Sequence, residues 1–178
     1  MKRILPIIFA LFFAISTNAQ NTFNEGDNVL NLGLGIGSTL YTGAYYSSNI
    51  PPISASYEVG IKDELFDENS SLGIGGYLGY SSSNYRFSGS SSGFSNFILG
   101  ARGSLHYQFI DQFDTYAGLM LGYRIVSWQN DGFGSAASSG FTSAFYVGGR
   151  YYFTESFAGM MELGYGIAYL NIGVALKF

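Results

Sequence analysis

Ser104 and His106 sit two residues apart in a segment that alternates between apolar and polar residues. On an extended strand that spacing puts a hydroxyl and an imidazole on the same face. Asp114 follows on the next segment, so nucleophile, base and orienting carboxylate are all present, the parts of an acyl-transfer site. The same parity collects charges. Glu58, Arg102, Arg124, Arg150, Glu162 and Lys177 all fall on the non-apolar face of their segments, with Asp114 near the end of its own. Gathered in a narrow interior, such groups either pair with one another or line a path for protons or ions. Composition closes off other chemistry. There is no cysteine and one histidine, so disulfides, thiolate metal sites and two-histidine sites are excluded. No cofactor and no metal are expected.

The elements that must position these residues are strands. From Phe97 to Phe109 the odd positions read Phe, Leu, Ala, Gly, Leu, Tyr, Phe, and the even ones Ile, Gly, Arg, Ser, His, Gln. A period of two gives a strand with two environments, whereas a helix would smear both sets around its circumference. Residues 113–125 and 170–178 repeat the pattern, and 30–36, 53–61, 72–80, 141–153 and 157–165 follow it less regularly. Most of the eight segments reach about 9 residues, as a tilted membrane strand requires. A β-sandwich would carry Lys, Glu and Thr on its watery face; here that face is rich in Gly and Tyr. Aromatics open and close the apolar faces, as at two membrane interfaces: Phe97 and Phe109, Phe113 and Tyr123, Phe141 and Phe153, Phe157 and Tyr165. The pattern predicts an all-β fold, an eight-stranded antiparallel up-and-down transmembrane β-barrel.

The 178 residues suffice for one domain. Charged residues are 11% of the chain and aromatics 18%, against about 25% charged in ordinary globular proteins. Such a surface faces something other than water. Lys2 and Arg3, an apolar run over 4–15 and Ala19 have the layout of a secretory signal peptide. The run is shorter than the about 20 residues of a spanning helix. Residues 1–19 are therefore expected to be the signal peptide and 20–178 the barrel. Without Lys2 and Arg3, 6 basic residues face 12 acidic ones, which excludes the basic footprint of nucleic-acid binding. Connections 109–113 and 153–157 are tight, whereas 38–52, 81–93 and 128–140 are long. That asymmetry predicts short periplasmic turns, long extracellular loops and periplasmic termini. Two connections break the rule: 62–71 is long and acidic, and 166–168 is very short.

With these features the chain resembles the small eight-stranded outer-membrane barrels of Gram-negative bacteria, the OmpA/OmpX-like type, over residues 27–178. The most specific piece is the C-terminus, Tyr169-Leu-Asn-Ile-Gly-Val-Ala-Leu-Lys-Phe178. The resemblance implies that Leu170, Ile172, Val174, Leu176 and Phe178 form the signal read by the barrel-assembly machinery. It also implies a monomer in outer-membrane lipid. Members share topology far more than function.

An eight-stranded barrel is just wide enough for side chains to fill it, so the inward charges are expected to pair rather than line a wide channel. If Phe153 pairs with Phe157, Arg150 stands opposite Met160 and diagonal to Glu162, which predicts an Arg150–Glu162 salt bridge. Gly73 and Gly75 leave space for Glu58 and Arg102 to approach. Ser104 and His106 face inward, away from lipid, so His106 reads as a hydrogen-bonded lumen histidine rather than a catalytic base. Gly33-Leu-Gly35-Ile-Gly37 and Gly73-Ile-Gly75-Gly76 lack the Gly-Lys-Ser/Thr ending of a phosphate loop. They read as small inward residues that make room for bulky neighbours. Lys62-Asp-Glu-Leu65 spells a retention signal that acts only at a C-terminus. Tyr41, Tyr45, Tyr46, Tyr85, Phe87, Trp128 and Phe133 lie in or beside the long loops. They are either contacts for an unidentified surface ligand or solvated interface aromatics. The expected role is structural or surface interaction without catalysis. The alternatives are a small passive channel or hydrophobic-solute barrel, and a lipid-modifying enzyme.

Overall fold

The computed structural model describes residues 22–40, 46–87, 90–128 and 138–178. Residues 1–19, the expected signal peptide, lie outside the described residues. The strands are β1 (Asn28–Ser38), β2 (Tyr46–Asp63), β3 (Ser70–Phe87), β4 (Ser90–Ile110), β5 (Phe113–Trp128), β6 (Gly140–Tyr152), β7 (Phe157–Gly164) and β8 (Ala168–Lys177). Each pairs antiparallel with its sequence neighbours, and β8 returns to β1, so the sheet closes. Closure removes the two sheet edges that an open sheet would leave unpaired. Asn28 and Phe178 exchange backbone hydrogen bonds at the seam, N to O at 3.3 and 3.0 Å.

Alternation sets the wall. One row of cross-strand partners runs Val174, Leu32, Ala55, Leu78, Leu99, Tyr123, Phe141, all pointing outward. Leu99 is 56% exposed and Leu121 71%. Exposed Leu, Ile and Phe side chains on every strand make an outer surface suited to hydrocarbon, not water. The inward positions mix glycine and polar residues with a few large side chains such as Ile98, Met120 and Met160. Two of the glycines have a definite job. Tyr116 pairs with Gly148, and Tyr146 with Gly118. A Cβ on either glycine would run into the ring opposite. The two tyrosines lie across the sheet because their partners have no side chain.

The wall is taller than the alternation predicts on one side. Residues 81–93 read as a long loop, yet β3 and β4 continue through most of it, with Ser81 opposite Asn96 and Phe87 opposite Ser90. Ser and Asn carry no hydrophobic period, but the backbone ladder needs none once the hairpin below has set its register. Likewise β2 begins at Tyr46, inside the predicted 38–52 loop. Pro51 and Pro52 lie within it, and the register shifts between Ser48 and Ile50 and between Ile50 and Ile53. Proline lacks the N–H that the ladder would use there.

At the other end, three turns join the strands. The 153–157 turn has the predicted register, with Arg150 opposite Met160. Gln112 takes φ 64° beside an irregularity between Gln108 and Ile110, the left-handed position usually given to glycine. The acidic 62–71 connection is ordered by one buried hydroxyl. Ser70 Oγ accepts from the Phe66 and Asp67 N–H groups at 2.9 and 3.0 Å and donates to the Asp67 carbonyl at 2.8 Å.

Candidate functional site in the lumen of the barrel

The lumen is filled in layers. Toward the long hairpins, Tyr77, Ile98, Met120, Tyr146, Ile167 and Ala168 form an apolar cluster. Ile167 comes from the very short 165–167 connection and is fully buried. Toward the turns, Phe23, Val29, Tyr152, Ala158, Met160 and Ala175 form a second cluster. Charges occupy the space between.

Arg150 is the centre of the lower charge group and has no exposed surface. Its three guanidinium nitrogens each find an oxygen. Nε donates to Asn31 Oδ1 at 3.0 Å, Nη1 to Asp114 Oδ2 at 3.0 Å, and Nη2 to Glu58 Oε2. The same two carboxylates grip His106. Its Nδ1 meets Asp114 Oδ1 at 2.9 Å and its Nε2 meets Glu58 Oε1 at 3.2 Å. Gly73 makes this possible, because a Cβ there would lie 2.9 Å from Glu58 Oε1.

Arg102 heads the upper group. Nη2 donates to Glu162 Oε2 at 2.7 Å and Nη1 to Ser56 Oγ at 3.3 Å. Its guanidinium carbon lies 3.8 Å from the centre of the Tyr146 ring, a favourable place for a cation. Tyr116 donates to Glu162 at 3.3 Å. Asn31 Nδ2 donates to Ser56 Oγ at 3.0 Å, so Arg150, Asn31, Ser56 and Arg102 link the two groups into one network. A cavity of ≈ 20 Å³ lies beside Arg102 and Glu162, the room of about one water.

Several predicted pairings change. Arg150 and Glu162 do not bridge, and Glu58 does not pair with Arg102. The partners are exchanged: Arg150 takes Glu58 and Arg102 takes Glu162. The turn fixes which residues are neighbours along the wall, but a long side chain crosses a narrow lumen more easily than it runs along the sheet. Arg124 points inward yet stands outside the network. It sits opposite Ile98, beyond the apolar cluster, and donates to the Ser138 carbonyl at 3.4 Å. Lys177 is also separate. It lies at the seam opposite Val29 and reaches Asp27 Oδ2 at 3.4 Å.

The acyl-transfer constellation is divided. Ser104 Oγ bonds the Tyr146 hydroxyl at 2.8 Å, while both nitrogens of His106 are taken by carboxylates. Among the described residues no group of three or more acidic or histidine side chains could hold a metal ion. Of the terminal residues, Leu170, Ile172, Val174 and Leu176 alternate on β8 with buried Asn171 and Ala175. Phe178 is 70% exposed. Among the loop aromatics, Tyr41, Tyr45 and Phe133 lie outside the described residues. For Tyr46, Tyr85, Phe87 and Trp128 only the strand backbone is described.

Sequence reasoning misses the segment that closes the turn end. Thr22–Asp27 crosses the mouth, and Phe23 is buried against His106, with ring centres 4.0 Å apart and planes 24° apart. Ser71 Oγ donates to the Phe23 carbonyl at 2.9 Å, and Gln108 Oε1 accepts from Thr22 N–H at 2.6 Å. Gly26 and Asp27 exchange backbone bonds with Gly60, each at 2.9 Å. The segment has no alternation, and so no periodic signal for it exists.

The closed eight-strand wall, the apolar exterior and the packed lumen together decide the architecture. The chain has the fold of the small eight-stranded outer-membrane barrels. No family model matches it, and no curated protein matches it. Solved structures do. Ail, the attachment invasion locus protein of Yersinia pestis, was crystallised in complex with the heparin analogue sucrose octasulfate. It matches with a TM-score of 0.55 and 11% identity, covering 86% of this chain and 99% of that one. The outer membrane protein OprG from Pseudomonas aeruginosa matches with a TM-score of 0.53 and 10% identity, over 89% of this chain and 99% of that one. Ail in a phospholipid bilayer nanodisc matches with a TM-score of 0.52 and 14% identity, over 86% and 100%.

Proposed function

We propose that this barrel is a closed scaffold in the bacterial outer membrane, which presents its long hairpins and loops to partners outside the cell and neither conducts nor catalyses. One observation carries the reading: among the described residues the lumen is filled by two apolar clusters, with the charges between them paired at hydrogen-bond distance. A wide ionic path would need water around these groups, and unpaired charge in so narrow a space is costly. Ser104 engages a tyrosine and not the imidazole, which supports a role without acyl chemistry. The turns and termini face the periplasm, and the C-terminal strand is the segment offered to the assembly machinery. The protein works as a monomer.

The loops favour an uncharged partner. Residues 38–52, 81–93, 128–140 and 165–167 contain one cation, Arg86, and one anion, Asp131. The remainder is mostly Ser, Gly, Asn and aromatic residues, an adaptable surface without electrostatic steering. Ail was crystallised with a heparin analogue; here the loops have no basic cluster to hold such a polyanion. Binding of cells displaying the chain to immobilised neutral glycans and to heparin tests this. Retention on neutral glycan that is lost on deleting residues 81–93, with none on heparin, is the expected result. Retention on heparin alone would overturn it.

A further inference from the structure

We propose that the turn end of the lumen is a built seat for the chain's own Thr22–Asp27 segment, that its base is His106 held as a doubly protonated imidazolium, and that loss of that proton loosens the segment. The closed-lumen reading is extended by this, since the segment covers the mouth.

The protonation state follows from donors and acceptors. An ionised carboxylate offers lone pairs and no proton. His106 has a carboxylate oxygen at each ring nitrogen, at 2.9 and 3.2 Å, so each contact calls for an N–H from the ring. The other oxygens of Glu58 and Asp114 face Arg150, which is donor-only and always charged. Charge balance agrees. Around His106, β2 contributes Glu58, β5 contributes Asp114 and the neutral Tyr116, and β6 contributes Arg150. Asn31 from β1 and Ser71 from β3 are uncharged. On β7, Glu162 is engaged by Arg102 of β4; at the seam, Lys177 of β8 is engaged by Asp27. Two cations then meet two anions. A neutral imidazole would leave one negative charge uncompensated in a buried group, which is strongly unfavourable.

The imidazolium is what the segment rests on. Phe23 stacks on it at 4.0 Å, and the Arg150 guanidinium lies 5.7 Å from the same ring. An aromatic face attracts cations, and more so when water is excluded. Loss of the proton removes that attraction and one carboxylate contact together. The seat is therefore complete while His106 is protonated, and it weakens as pH rises through the titration of that group.

The test uses the protein purified in detergent micelles. His106 is the only histidine, so nitrogen-15 histidine labelling reports a single ring. At pH 7 both ring nitrogens should carry protons; a neutral ring with one protonated nitrogen would overturn the proposal. Hydrogen exchange then follows Gly26 and Asp27, whose N–H groups bond the Gly60 and Asn24 carbonyls. In His106→Gln these amides should exchange at least tenfold faster, with β5 and β6 unchanged. Phe23→Leu keeps an apolar side chain, leaves the network intact and should give the same acceleration. Should His106→Gln accelerate exchange throughout the barrel, Phe23→Leu alone decides. Unchanged exchange in Phe23→Leu would show that the segment is not seated through the stack, whether or not the lumen proves closed to ions.

Discussion

Replacing Arg150 with methionine keeps an unbranched side chain and removes the charge that Glu58 and Asp114 share. Both carboxylates are 2% exposed, so the loss is not answered by bulk water. Breaking one buried pair costs about 3–5 kcal/mol, because a charge is stranded. Arg150 touches both anions, and its loss leaves the His106 imidazolium alone against two carboxylates, which places Arg150→Met toward the upper part of that range. Water entering the lumen would lower it. Adding Glu58→Gln restores the charge balance, so the double mutant should be more stable than the summed singles predict, by about 1–3 kcal/mol. The cycle between Arg150 and Glu162 is the contrast. Glu162 bonds Arg102 at 2.7 Å and Arg150 bonds Glu58, so those two mutations, linked only through Asn31, Ser56, Arg102 and the Tyr116 ring, should couple more weakly than Arg150 with Glu58. The cycle between Arg102 and Glu162 should couple. Urea unfolding in micelles, followed by far-ultraviolet circular dichroism, gives each free energy. If Arg150 couples to Glu162 and is additive with Glu58, pairing follows the wall of the sheet and not the width of the lumen, and the described network is wrong.

Other consequences are simpler to check. Gly148→Val drives a branched side chain into the Tyr116 ring and should cost about 1–3 kcal/mol by overpacking; Tyr116→Ala in the same chain should recover part of it in urea unfolding. Leu121→Arg puts a charge on the outer face, where the side chain is 71% exposed. It should destabilise by about 2–4 kcal/mol in lipid vesicles if it lies at the bilayer midplane, and less in short-chain detergent; an equal, negligible effect in both would refute the outward assignment. Ser70→Ala leaves the Phe66 and Asp67 N–H groups without their acceptor and should cost about 1–2 kcal/mol, with faster hydrogen exchange confined to 64–70. Deleting Phe178 should lower surface levels in cells while refolding in detergent survives.

The barrel is legible in the sequence because alternation is a direct consequence of a two-sided wall. Leu99 and Arg102 differ in parity, and parity alone sends one to the outer surface and the other to the lumen. The 153–157 turn likewise fixes Arg150 opposite Met160 without any structure. Pairing inside the lumen is not legible in this way. Arg150 leaves β6 and meets β2, β5 and β1, at Glu58, Asp114 and Asn31. Those contacts depend on strand tilt and on how far a guanidinium reaches, and neither leaves a trace in one strand's pattern. The long hairpin between β3 and β4 escapes for a related reason, since Ser81, Ser82 and Ser83 carry no polarity difference between faces. Phe23 escapes because its segment obeys no period. The phenylalanine before Asn24-Glu-Gly-Asp27 offers only the weak hint of an apolar residue ahead of a polar turn.

Conductance across a planar bilayer tests the closed lumen most directly. With the purified protein inserted at neutral pH, the packed network and the seated Phe23 predict a membrane that stays silent, without stable current steps. Reproducible steps that scale with salt concentration, and that change in size when Arg102 or Arg150 is replaced, would place water and ions among these charges and contradict the account.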